Sequence, residues 1–316
     1  MSFSSDVKQE ITQNFVMEKS AALSTLCALF LVRASLHIAG GESFLSFQTE
    51  NAAIAKFVYQ ILKTYYPQEE LGLSVMKKMN LKKNNIYRLQ VHGNINEILE
   101  SLTILRPQGL SPVPSYTMVR SEKNARAFLQ GIFLACGSIN SPKTANYHME
   151  LSLPQKQQAE LCSKLLSRFY IPSKIVKRKQ YYVLYTKAGD KIADFLRLCN
   201  VSRCLFEFED ARITRDYYNQ LTRLDNCEVA NEMKTIKAAA EQLAWIETIE
   251  KKGGVKISDK LQRVIDARKA HPEASTMELC KVIEEQYGET ISKSGMKHRL
   301  GKLKETAARL EEADAR

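Results

Sequence analysis

Five cations and no carboxylate lie between Ile291 and Lys304: Lys293, Lys297, Arg299, Lys302 and Lys304. Groups of this kind break no bonds by themselves; at that density they hold polyanions, the phosphates of nucleic acid above all. Ser292, Ser294 and His298 are interleaved with them, and short donors and acceptors of that type read base edges once lysines have engaged the backbone. Two further runs are basic without an acid: Met76 to His92, with Lys77, Lys78, Lys82, Lys83 and Arg88, and Ser173 to Lys187, with Lys174, Lys177, Arg178, Lys179 and Lys187. Lysine on a sheet edge also blocks aggregation. A phosphate-binding role is favoured because both runs occupy the same place in an internal repeat.

Other reactive side chains are dispersed. The cysteines number seven, an odd count without any C-x-x-C spacing, which predicts free thiols in a reducing compartment and no zinc site. Cys199 and Cys204 are expected to be small core residues near a helix end. The five histidines form no ligand cluster either, so neither metal nor cofactor is expected. A net charge of +11 points the chain toward nucleic acid in preference to a membrane. Its start has no basic region followed by an apolar stretch, unlike a signal peptide. The most apolar window, Ala21 to Ala39, is interrupted by Arg33, His37 and serines, and reads as a buried core helix. A cytoplasmic protein is the expectation.

The elements that position these residues are written twice. Leu26 to Leu36 and Leu129 to Ile139 are similar segments at an offset of 103 positions, and a fixed offset marks an internal repeat. Each copy is followed by a strand-like run (Phe44 to Gln48; Tyr147 to Leu153) and a helix ending in an aromatic pair and proline (Ala55 to Pro67; Ala159 to Pro172). A lysine-rich segment, a tyrosine-bearing strand (Ile86 to Val91; Tyr181 to Thr186) and a closing helix (Ile95 to Leu105; Lys191 to Leu198) complete each half. Glu228 to Lys252 predicts a long connecting helix, with Val229, Met233, Ile236, Ala240 and Leu243 at three-four spacing. Trp245 is read as packing. Ser258 to Ala270 predicts a helix stopping at Pro272. Ser275-Thr-Met-Glu278 has the form of a capping box, Tyr287-Gly288 a stop, and Ser292 a second cap. On the last helix Met296, Leu300 and Leu303 share one face while Ser294, His298 and Lys302 lie opposite, flanked by Lys297 and Arg299. Gly295 and Gly301 cost about 1 kcal/mol each in a helix; they let its backbone approach a groove wall.

The repeated segment resembles the LAGLIDADG motif of homing endonucleases, whose duplicated αββαββα fold packs two motif helices along a pseudo-twofold axis. Gly131 with Ala135, and Ala28 with Val32, supply small residues for that close approach. In nuclease members the eighth motif residue is an acid holding a divalent metal. Here that position is Arg33 in the first copy and Cys136 in the second; a guanidinium cannot ligate a cation and a thiol suits magnesium poorly. Glu150 is the nearest downstream acid in the second copy and has no obvious partner in the first. Thr49-Glu-Asn-Ala-Ala-Ile-Ala55, Leu81-Lys-Lys-Asn-Asn85, Arg126-Ala-Phe-Leu129, Asn226-Cys-Glu228, Ala230-Asn231, Lys234-Thr235, Ser292-Lys-Ser-Gly295 and His298-Arg299, in this order, resemble the WhiA family of bacterial DNA-binding regulators.

The resulting expectation is an α+β chain. A degenerate LAGLIDADG-like domain occupies 1–206, with repeats at about 20–105 and 122–205, a helical linker 207–254, and an all-α helix-turn-helix domain 255–316 whose DNA-binding part is about 275–308. The resemblance implies a non-enzymatic transcription regulator linked to cell division, chromosome segregation and, in spore-formers, sporulation. Double-stranded DNA is the expected partner, with other transcription or chromosome-segregation proteins beside it. Ser294, His298 and Lys302 are assigned to groove readout, and Lys293, Lys297 and Arg299 to phosphates. An RNA-binding, maturase-like protein, a residual metal-dependent nuclease and a protein-docking role for the repeat domain stand as alternatives.

Overall fold

The motif helices have too little polar surface to face water, and they solve this by packing on each other. In the computed structural model, which describes residues 2–39, 42–77 and 85–314, they are α2 (Lys19–Arg33) and α6 (Glu122–Cys136), preceded by α1 (Phe3–Asn14). The helices approach closely where Gly131 faces the first copy. A side chain added there would lie 2.6 Å from the Thr25 carbonyl oxygen and 2.7 Å from the Ala28 Cβ. Thr25 Oγ1 donates to the Ala127 carbonyl across the seam at 2.9 Å, satisfying a fully buried hydroxyl.

Neither repeated segment is helical to its end. Ala34 and Gly137 leave helical geometry at ψ 150° in both copies, and each begins a strand. The first copy continues β1 (Ala34–Ala39), β2 (Glu42–Thr49), α3 (Ala52–Tyr65), β3 (Glu70–Lys77), β4 (Asn85–His92) and α4 (Ile95–Ser101). After β5 (Leu105–Arg106), β6 (Gly109–Leu110) and α5 (Tyr116–Val119), α6 opens the second copy: β7 (Gly137–Ile139), β8 (Met149–Leu153), α7 (Lys156–Arg168), β9 (Lys174–Arg178), β10 (Tyr181–Thr186) and α8 (Gly189–Leu198). Each copy is therefore αββαββα. The antiparallel sheets have equivalent orders, β1-β2-β4-β3 and β7-β8-β10-β9, and the registers place Leu45, Phe47, Leu89 and Val91, or Leu151 and Leu184, on the buried side.

Helix α1, which no periodic run announced, buries Phe3, Val7 and Ile11. Its buried Glu10 carboxylate accepts from the Arg203 and Cys204 amides at 2.8 and 3.0 Å and so caps the next helix. Cys199 and Cys204 are core residues there, as expected.

That helix, α9 (Ser202–Lys252), starts well upstream of Glu228 and runs 51 residues without a break. The chain divides into two compact units within it, Met1–Arg215 and Asp216–Arg316. The expected stripe is not the buried one: Val229, Met233 and Ile236 are exposed, and Ala239, Gln242, Ile246 and Ile249 are buried instead. Its first turns bury Cys204 and Phe208 in the first unit, and its last turns are covered in the second.

In the second unit α9 is followed by α10 (Asp259–Ala270), α11 (Thr276–Tyr287) and α12 (Lys293–Asp314). Ile246 and Ile249 of α9 join Val264, Ile265, Leu279, Ile283, Met296, Leu300 and Leu303 in one core. The three-helix module thus has a fourth wall, and Trp245 packs against it as expected. Among the described residues no helix is long and apolar enough to cross a membrane.

Candidate nucleic-acid interface

Helix α11 begins and ends where its sequence says it should. Ser275 Oγ accepts from the Glu278 amide at 3.3 Å, and the Glu278 carboxylate returns a 2.6 Å bond to the Ser275 amide, a complete capping box. Gly288 closes the helix at φ 62°, a left-handed conformation that glycine adopts without steric cost. Ser292 then caps α12, accepting from the Gly295 amide at 3.1 Å. Met296, Leu300 and Leu303 are buried, which turns Lys293, Ser294, Lys297, His298 and Lys302 outward, all exposed. Gly301 has open space where a side chain would stand, leaving backbone accessible between His298 and Lys302.

Arg299 sits apart from this surface. Its side chain is 16% exposed and its guanidinium is held by both oxygens of Glu289. Glu289 also takes Arg263 Nη1 of α10 at 3.1 Å. Hydrogen bonds from Arg299 foremost hold the Glu289 carboxyl below its ordinary range. Arg299 thereby ties α12 to the turn before it and to α10, a structural task that spacing alone did not disclose. A second arginine was missed altogether: Arg268 is 1% exposed. Its Nη1 donates to the Ala274, His271 and Pro272 carbonyls at 2.6, 3.3 and 3.4 Å and its Nε to Gln242 Oε1 at 3.0 Å. It fixes the α10–α11 turn against α9.

In the first unit Lys77, Arg88, Lys174, Lys177 and Arg178 fall on strands. Arg88 lies on the sheet face opposite the core, in register with Gln48 and Ser74. Ser35 and Gln90 share that face through Ser46, making a polar surface that reading the lysines alone had passed over. In the second copy Lys174 and Arg178 lie on the corresponding face with Tyr185 and Tyr181. Lys77 and Lys177 are in the other phase, at exposed strand positions, and Lys179 occupies the β9–β10 turn at φ 55°. Lys78, Lys82 and Lys83 lie outside the described residues.

The eighth motif positions, Arg33 and Cys136, carry chemistry other than a carboxylate's. Arg33 Nε donates to the Ala135 carbonyl at the end of α6, 2.7 Å away. The half-buried Cys136 thiol has its pKa pushed up to about 12 by burial. The Lys8 ammonium stands 5.7 Å from the Phe133 ring centre, close enough to Arg33 and Cys136 to feel both. Glu150 is already engaged, 3.1 Å from His148 Nε2 and 3.8 Å from Arg178 Nη1; its counterpart in the first sheet is Ser46. This donor set does not fit a divalent cation. A guanidinium and a neutral thiol, with the Lys8 ammonium nearby, stand where magnesium would require oxygen ligands.

Sequence models of the WhiA N-terminal LAGLIDADG-like domain, the WhiA LAGLIDADG-like domain and the WhiA C-terminal HTH domain match residues 19–105, 125–218 and 221–307. A protein named probable cell division protein WhiA from Enterococcus faecalis is 38% identical over 317 residues, covering 100% of both chains. Its namesake from Brevibacillus brevis is also 38% identical, over 99% of this chain and 98% of its own. The crystal structure of full-length DUF199/WhiA from Thermatoga maritima superimposes with a TM-score of 0.59 at 22% identity, over 98% of this chain and 99% of that one. With a duplicated αββαββα unit, a helix-turn-helix module and full-length relatives at this identity, the chain belongs to the WhiA family.

Proposed function

We propose that this protein is a non-enzymatic, duplex-DNA-binding transcription regulator acting in cell division, with α12 as its recognition helix. The carrying observation is the outward face of α12. Lys293, Ser294, Lys297, His298 and Lys302 are exposed together on a helix whose opposite face is anchored in the core. Lys293 and Lys297 engage phosphates, Ser294, His298 and Lys302 reach the groove, and Arg299 holds the module's shape. The Ser35–Gln48–Arg88 face and its Lys174–Arg178 counterpart add backbone contacts. Support for a role in cell division comes from the relatives' names. By the same family reading the protein works at the nucleoid, with chromosome segregation and sporulation as the processes it serves.

Cleavage is not part of this reading, because Arg33 and Cys136 supply no hard oxygen ligand for a metal that would polarise a phosphodiester. Crosslinking of the full-length protein to chromosomal DNA is the test. Discrete sites that vanish in a Lys297→Gln/Lys302→Gln variant are expected; featureless or absent occupancy overturns the proposal. Plasmid incubated with protein and Mg²⁺ should stay intact, and equal retention of structured RNA and duplex DNA at one salt concentration would favour the maturase-like alternative.

A further inference from the structure

Beside Arg33, one of the two eighth motif positions, lies an open cleft of about 940 Å³ in the first unit. Its walls come from the start of α1, the ends of α2 and α6, and the β2–α3 junction. Arg33 and Lys8 both face it. Arg33 uses Nε on the Ala135 carbonyl. Among the described residues, neither its terminal NH₂ groups nor the Lys8 ammonium is paired with a carboxylate. Glu50 lines the same cleft and has a partner of its own. Ser2 and Ser5, at the N-terminal turn of α1, complete the wall and add hydroxyls.

Two like charges converging in one partly buried space are unfavourable unless something compensates them. Burial foremost draws the Lys8 pKa down to about 8; Cys136 opposes the shift and Arg33 adds a smaller push in the same direction as burial. An anion entering the cleft would receive charge-assisted hydrogen bonds from both cations and relieve their repulsion. Guanidinium and ammonium together suit a phosphoryl group, which offers several oxygens at once.

We propose that this cleft is a phosphoryl-anion site in which Arg33 and Lys8 grip the phosphate directly, with no metal between. The site is independent of the α12 interface and does not rest on the regulatory reading. Its phosphoryl group has two sources: a free phosphate compound, for which the cleft has ample room, or a phosphate of bound DNA.

The probe is inorganic pyrophosphate, titrated into the full-length protein by calorimetry at pH 7 and constant ionic strength. Saturable binding is expected, weakened at least about tenfold by Lys8→Met and by Arg33→Gln. Lys164→Gln, at an exposed position of α7 outside the cleft lining, serves as the control and should bind as the native protein does. Should Arg33→Gln fail to fold for want of its Ala135 bond, Lys8→Met carries the test alone. Absence of saturable binding, or equal weakening in all three variants, overturns the site. Repeating the titration with saturating mixed-sequence duplex separates the sources. Displacement of pyrophosphate assigns the grip to a DNA phosphate, and undiminished binding assigns it to a free one.

Discussion

If Lys297 and Lys302 touch DNA and Arg299 does not, salt dependence will separate them. Each phosphate neutralised by a lysine releases counterions and contributes about 0.9 to the slope of log K against log salt. Replacing both lysines by glutamine should lower the slope by about 1.8 if each meets a phosphate, and by about 0.9 if Lys302 meets only a base. Between about 50 and 200 mM salt, the larger change means the variant's affinity falls roughly twelvefold less than the native protein's. Arg299→Gln should behave differently. Its guanidinium is 16% exposed and bound to Glu289, so its loss destabilises the second unit by about 2 kcal/mol and leaves the slope unchanged. Fluorescence anisotropy on a labelled mixed-sequence duplex at several salt concentrations reads the slope, and urea unfolding reads the stability. A native slope in the double lysine variant, or a reduced one in Arg299→Gln, would refute this assignment of the surface.

Arg268→Ala removes the donors for three turn carbonyls, and a loss of about 1–3 kcal/mol is expected. The chain's one tryptophan, Trp245, packs on that core, so its fluorescence during urea unfolding reports the change; an unaltered midpoint would dismiss the role given to Arg268. Gly131→Ala drives a methyl to 2.6 Å from the Thr25 carbonyl, and overpacking of this kind costs about 1–3 kcal/mol, visible as a lower thermal midpoint by circular dichroism. A native midpoint would mean the motif helices are not held as close as described. Lys8 has a folded pKa of about 8 against an ordinary 10.5. Between those values the unfolded chain holds a proton the folded one lacks, so this group's destabilising effect is full below pH 8 and fades as pH rises. Denaturation of Lys8→Met and native protein at pH 7 and pH 10 should show the variant's advantage shrinking at the higher pH, and a constant gap would contradict it.

What the sequence disclosed and what it hid follow from the range of the interactions. The repeat, the Ser275–Glu278 box, the Gly288 stop and the Ser292 cap are local signals, satisfied within a few residues. Glu10, which caps a helix 193 positions away, and Arg268, which reaches Gln242 across helices, look like ordinary surface charges in a linear reading. The long helix misled for the opposite reason: Val229, Met233 and Ile236 have helical spacing, but spacing cannot say which face meets a partner, and here it is Gln242, Ile246 and Ile249 that do. Lys8 was invisible because its significance lies in Arg33, brought beside it by the packing of both α1 and α2 against α6. The lost motif acids could be read directly from Arg33 and Cys136, yet losing acids explains only why a cation has no place there. Lys8 and Arg33 in one cleft give it two cations, and a space of that sign attracts an anion, the phosphoryl group proposed for it.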